Sequence, residues 1–134
     1  MDINLLNKLN RNTLAEQLEI EFISLDKDQL SAKMPVNEKT RQPFGYLHGG
    51  ASLALAETIA SSGSYFLADP EKESVFGIQV SCNHVASIKE GYVIATASLI
   101  QKGKHTHIWD VKITDNNGKN ISLCRVTNKI VEKK

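Results

Sequence analysis

Twenty-seven residues separate Arg41 from Asp69, and only one of them, Glu57, carries a formal charge. At the chain average of 23% charged residues, a span of that length would hold about six. So apolar a segment belongs either in a membrane or inside a fold. A lone membrane span is disfavoured by the Glu, the serines and the Gly49-Gly50 pair, and it would leave the strand-like sequence on both sides unexplained. Gly49 to about Ala68 therefore reads as one long helix, buried nearly all round. On a 3.6-residue wheel Gly50, Glu57, Ser61 and Ser64 share a stripe, with Leu55, Ile59 and Phe66 opposite. A plain amphipathic helix with Glu57 on its wet face would carry lysines, arginines and several acids there. This stripe carries small hydroxyls and alanines instead. Small residues suit the close approach of another surface, and a single carboxylate among them suits a tuned one.

The flanking sequence supplies the sheet for such a helix. Ile3, Leu5, Leu6 and Leu9 share one helical face. Thr13 to Glu16 fits a capping box, with Thr13 as N-cap of a short helix ending near Leu18. Ile20 and Phe22, then Leu30, Ala32 and Met34, alternate with polar residues around an Asp26-Lys27-Asp28 turn. Pro35 to Pro43 is an irregular connection. After the long helix come Val75 to Val85, with Ile78, Val80 and Cys82 on one face, and Tyr92 to Leu99. His105 to Thr114 and Asn120 to Ile130 flank the hairpin signal Asp115-Asn116-Asn117-Gly118. The expected class is α+β: an antiparallel sheet of five or six strands with one long helix across a face.

His48-Gly49-Gly50 opens the helix. Two helical glycines cost about 1 kcal/mol each relative to alanine. Either they start a helix where strands crowd it, or they let a ligand approach the backbone, where the free N–H groups suit a developing oxyanion. His48 is a candidate for the same chemistry or for a structural role. Gly49 and Glu57 are eight residues apart, or about 12 Å along a helix axis. That gap is too large for both to reach one reacting carbon. If both act, they come from two chains packed about a two-fold axis.

Composition excludes several classes. The 134 residues suit one domain, residues 1–134, without repeats or linkers. A net charge of +1 makes phosphate-backbone binding a poor first expectation, so no nucleic-acid partner is expected. Cys82 and Cys124, both in strand-like runs, read as two buried thiols in a reducing cytoplasm. The N-terminus lacks the pattern of a secretory signal, and the expected location is cytoplasmic without a membrane partner. No metal is expected, because His105 and His107 lie on one strand face with no third ligand spaced to join them.

RQPFGYLHGGASLALAE, residues 41–57, resembles the hotdog-fold acyl-CoA thioesterases. The similarity is to the bacterial branch acting on aromatic acyl-CoAs such as 4-hydroxybenzoyl-CoA and 1,4-dihydroxy-2-naphthoyl-CoA. It extends over most of the chain, through TLAEQLEIEF, CNHV and GKHTHIW. HGGA followed by Glu at this spacing is its specific part. The resemblance implies a sheet wrapped around the central helix and hydrolysis of an acyl-CoA thioester, with CoA entering only as part of the substrate and no other cofactor. It implies Glu57 as nucleophile or general base, Gln42 orienting the thioester or water, and His48 supporting the loop beside the thioester. It further implies that Gly49 polarises the carbonyl through its N–H and that Ser61 lies beside Glu57. Glu57 and Ser61 would face Gln42, His48 and Gly49 of a partner subunit, in a homodimer that pairs again into a tetramer.

CoA contacts are implied at Gly77, at His84, Val85, Ala86 and Ser87, and at Gln101, Lys102, Gly103, Lys104, His105 and Thr106. Ala86 stands where the branch often has a phosphate-contacting Arg, and Lys89, Lys102, Lys104 or His105 could supply that charge. Tyr65, Phe66 and Ser62 are candidates for the far end of the acyl pocket. Two other readings share the fold: a hydroxyacyl-thioester dehydratase, which the HGG…Glu spacing disfavours, and a non-enzymatic acyl-CoA-binding protein. Neither would release CoA.

Overall fold

A computed structural model describes residues 2–26 and 28–134; Lys27, within the expected first turn, lies outside them. Two short helices, α1 (Ile3–Leu9) and α2 (Leu14–Gln17), precede strands β1 (Glu21–Leu25) and β2 (Gln29–Pro35). The long helix α3 (Gly49–Leu67) follows, then β3 (Glu73–His84), β4 (Tyr92–Lys102), β5 (Thr106–Thr114) and β6 (Asn120–Glu132). Asp2 and Thr13 cap the two short helices through their side chains. The Glu16 carboxylate reaches back to accept the Asn12 N–H, one residue before the N-cap of the expected box.

The six strands form one antiparallel sheet in the order β1-β2-β4-β5-β6-β3. Alternation places one face of each strand beneath α3: Leu30, Ala32 and Met34 on β2, Val93, Ala95 and Ala97 on β4, Trp109, Val111 and Ile113 on β5. Leu55, Ala56, Ile59 and Ala60 descend from the helix onto this layer and are fully buried. Gly63 allows the closest approach. A Cβ there would come within 2.6 Å of the Trp109 ring, so a side chain would push helix and sheet apart.

Three expectations need correction. First, α3 is not buried all round in this chain. Its far face, with Leu53, Ala54, Glu57, Thr58, Ser61 and Ser62, is only half covered. Ser64, placed on that stripe, is instead fully buried, where its hydroxyl meets Trp109, His107 and Asn128. Second, Ile78 is 56% exposed while Val80 and Cys82 pack against the core. The β3–β6 register shifts between Gly77 and Gln79, and that bulge turns Ile78 out. Third, Cys82 and Cys124 are not free thiols but a disulfide. They are direct register partners on β3 and β6 with Cα atoms 4.0 Å apart, a pairing that spacing along the sequence does not reveal. No helix among the described residues is long and apolar enough to cross a membrane.

Candidate active site

The N-terminal end of α3 gathers one set of groups. The loop before it closes on itself. Arg41 bridges Leu47, the Gln42 N–H donates to Tyr46 O at 2.8 Å, and Gln42 Oε1 accepts from the amides of Phe44 and Tyr46 at 2.6 and 3.2 Å. With its oxygen engaged, the Gln42 side chain has its NH₂ left to donate. His48 is the N-cap. Its Nδ1 accepts the Gly50 N–H at 2.7 Å, so the proton of the neutral ring sits on Nε2. Ala51 and Ser52 donate to His48 O, which among the described residues leaves the Gly49 N–H as the free amide at the positive end of the helix. His84 lies over this turn. A Cβ on Gly49 would come within 2.8 Å of His84 Nε2, and His84 Nδ1 is 2.7 Å from Ser122 Oγ.

Further along α3 a second set forms around Glu57. Its carboxylate lies against Gly77 on edge strand β3, and a Cβ on Gly77 would overlap Glu57 Oε2. Gly77 therefore leaves room for the carboxylate. Ser61, one turn on, is 3.5 Å from Asn128 Oδ1. Asn128, register partner of Gly77 on β6, is fully buried and donates to Ala60 O at 3.1 Å and Ser64 Oγ at 2.9 Å. Ser64 Oγ also accepts from Trp109 Nε1 at 2.9 Å and lies 2.8 Å from His107 Nδ1. Two acceptor sites filled leave the Ser64 hydroxyl one direction for its proton, toward His107 Nδ1, which must then be unprotonated. Burial lowers the His107 pKa in the same sense. Lys102, its register partner on β4, adds to that, and Glu73 opposes it.

The structure thus divides the expected site residues between two places. Gln42, His48 and Gly49 lie at the helix start with His84; Val85 and Ala86 follow, their amides directed to Ile121 O. Val85 and Ser87 are exposed, and Ala86 packs against the core. Glu57, Ser61 and Gly77 lie at the other place. The β4–β5 turn lies at that same end of the sheet, because Thr106 and His107 pair with Lys129 and Asn128. There Gln101, Lys102, Lys104, His105 and Thr106 are exposed, and Gly103 donates to Thr106 O. Gly77 and His84 mark the two places on β3, seven residues and roughly 20 Å apart along a strand. A single chain does not bring Gly49 and Glu57 to one carbon.

Beside Ser61 opens a cleft of about 460 Å³, lined by Leu6, Leu9, Ser62, Tyr65, Val75 and Phe76. Of the three candidates for the far end of an acyl pocket, Ser62 and Tyr65 line this cleft and Phe66 does not. Leu6 and Leu9 of α1 and Phe76 of β3 were missed because they come from outside the helical motif. Asn128 was missed too, although a signal existed. It is the polar residue in the core-facing series Cys124, Val126, Asn128, Ile130 of β6.

Comparison with known proteins gives a consistent set of relatives. The thioesterase superfamily profile matches residues 44–122. A 1,4-dihydroxy-2-naphthoyl-CoA hydrolase from Listeria monocytogenes is 43% identical over 121 residues, covering 90% of this chain and 98% of the relative. The proofreading thioesterase EntH of Cronobacter turicensis is 36% identical over 131 residues, covering 98% and 95%. Among solved structures, a mutant of thioesterase PA1618 from Pseudomonas aeruginosa superposes with a TM-score of 0.97 at 37% identity, covering 99% of this chain and 96% of that one.

Proposed function

Because the chain belongs to the thioesterase superfamily, we propose that its thioester hydrolysis acts on an acyl-CoA with an aromatic or other small acyl group. Glu57 serves as nucleophile or general base. The Gly49 N–H polarises the carbonyl, His48 Nε2–H and the Gln42 amide help hold the thioester or water, and Ser61 stands beside Glu57. The observation that carries this reading is the single carboxylate of α3, half-buried against Gly77 and one helical turn from Ser61, which lines a cleft large enough for an acyl group. Relatives named for 1,4-dihydroxy-2-naphthoyl-CoA support the aromatic class.

Each complete site takes Glu57 and Ser61 from one subunit and Gln42, His48 and Gly49 from its partner. The open face of α3, the 81% exposed Phe44 and the exposed Phe76 and Ile78 on edge strand β3 favour a homodimer, with a tetramer formed as a dimer of dimers. CoA lies along His84 to Ser87 and the 101–106 turn, where Lys102 and Lys104 supply charge that Ala86 does not. The reaction needs no metal or other cofactor.

The test is a thiol-release screen over aromatic, short-chain and long-chain acyl-CoAs. Release of CoA, fastest from the aromatic and small acyl groups, is the expected result. Binding without release would favour a carrier instead.

A further inference from the structure

The buried amide beneath Ser61 has a fixed orientation, and that orientation sets what Ser61 can do. Both Asn128 N–H bonds are used, one to Ala60 O and one to Ser64 Oγ. Turning the amide over would place Oδ1 against the Ala60 carbonyl, two acceptors face to face, so the flip is excluded. Oδ1 therefore points at Ser61, and as an acceptor it can take only the Ser61 proton. At 3.5 Å the contact is long, as such bonds often are before substrate closes a site.

We infer that Asn128 is a positioning residue: it takes the Ser61 hydroxyl proton and leaves Ser61 Oγ as an acceptor facing the reaction. The alternative for a serine one turn from a carboxylate is to donate to that carboxylate, and residues four apart on a helix are close enough to do so. A Ser61 that donated to Glu57 would occupy a lone pair the chemistry needs. With its proton turned inward, Ser61 can instead accept from the water that hydrolysis consumes. That water has two protons. One goes to Glu57 and the other is held by Ser61, so the oxygen lone pair points at the acyl carbon. The water oxygen bonds to that carbon, the carbon–sulfur bond breaks, and the departing thiolate takes the proton from Glu57. If Glu57 attacks first, CoA leaves as the thiolate; water held by Ser61 then bonds to the acyl carbon, the acyl–Glu57 bond breaks, and the freed carboxylate takes the water proton and passes it to the thiolate.

The arrangement has support from below. Asn128 is held by Ser64, and Ser64 by Trp109 and His107, all buried. A buried network in which Asn128 and Ser64 have each polar group engaged favours one geometry.

The inference rests on the role of Glu57 proposed above, and the experiment separates the two. Asn128→Leu keeps the shape and removes the acceptor, Asn128→Asp keeps both shape and an acceptor, and Ser61→Ala removes the hydroxyl. On folded protein, Asn128→Leu and Ser61→Ala are each expected to lower kcat about tenfold with KM nearly unchanged. Asn128→Asp should stay within about twofold of wild type in kcat even though it loses donors and stability. In the Ser61→Ala background, Asn128→Leu should cost no further kcat. If the two losses multiply, or if Asn128→Asp falls as far as Asn128→Leu, Asn128 is a packing residue and the inference is overturned. Should Asn128→Leu fail to fold, Asn128→Asp against Ser61→Ala decides alone: retained kcat supports the inference, and a loss equal to that of Ser61→Ala overturns it. Glu57→Ala is the separate control. Near wild-type turnover in that variant would remove the proposed chemistry itself, whereas an inactive Glu57→Ala beside multiplying losses would remove only the role of Asn128.

Discussion

At its N-terminal end, α3 presents donors held by a short, largely exposed loop: the Gly49 amide, the His48 ring and the Gln42 side chain, fixed mostly by bonds within residues 40–50, with Arg41 and Leu47 also donating to Lys89 O and Ile88 O. Two turns further on, it presents a carboxylate and a hydroxyl, held from beneath by side chains that water does not reach. The first arrangement depends on local turn chemistry, and the second on sheet register bringing Asn128, His107 and Trp109 together. The difference suits the tasks proposed for them. Donors to an oxyanion need only point outward from a helix end. A base beside an oriented hydroxyl needs each proton assigned.

Loss of the base should be the largest effect. Glu57→Ala is expected to keep the fold, since the side chain is only half covered, and to lower hydrolysis by roughly 10³-fold or more. Thiol release together with light scattering checks both halves of that statement. The separation of donors from base makes a second prediction. Glu57→Ala and Gln42→Ala homodimers each have two broken sites. Refolded together at random, half the dimers are mixed, and each of those holds one site with both defects and one with neither. Activity should recover to about a quarter of wild type per chain. No recovery, with mixed dimers shown to be present, would mean that donors and base meet within one chain.

Gly77→Ala tests how the base is held. The new methyl group would occupy the position of Glu57 Oε2 and displace the carboxylate. A displacement on the order of 1 Å costs about a hundredfold in kcat. Stability should barely change, because Gly77 is exposed on an edge strand. A rise in KM with kcat intact would return Gly77 to the CoA contact that the resemblance implied.

How much of this was legible in the sequence follows from the same contrast. Period-2 alternation gave β2, β4, β5 and β6, and the near-absence of charge gave α3 and singled out Glu57. These signals lie within short windows. The bulge at Gly77, the Cys82–Cys124 bond and the contact from Asn128 to Ser61 depend on which residues of distant strands fall opposite one another. Register of that kind is set by three-dimensional pairing and leaves little trace in spacing. The polar Asn128 within an apolar strand face was the one trace available. The gap between Gly49 and Glu57 was legible because helix rise alone sets it.

The smallest expected effect concerns the far end of the buried network. His107 is neutral in the fold, its pKa lowered first by burial and then by Lys102, with Glu73 opposing. In the unfolded chain it returns to its ordinary value near 6.5. Below that pH the unfolded chain binds a proton that the folded chain resists. Stability from this group is therefore fully present above about pH 6.5 and is lost as the pH falls toward the lowered folded value. The slope for one proton is at most about 1.4 kcal/mol per pH unit. Carboxylates titrate over part of the same range, so the comparison must be with a variant lacking only this proton site. His107→Gln retains an oxygen that can accept from Ser64 and cannot titrate. Denaturant unfolding between pH 7.5 and 5 should show wild type losing stability more steeply than His107→Gln on the acid side, and the two curves running parallel above pH 7. Parallel curves throughout would mean that Ser64 does not give its proton to His107. The hydroxyl would then be free to turn, and the assignment of protons beneath Ser61 would lose its lower support.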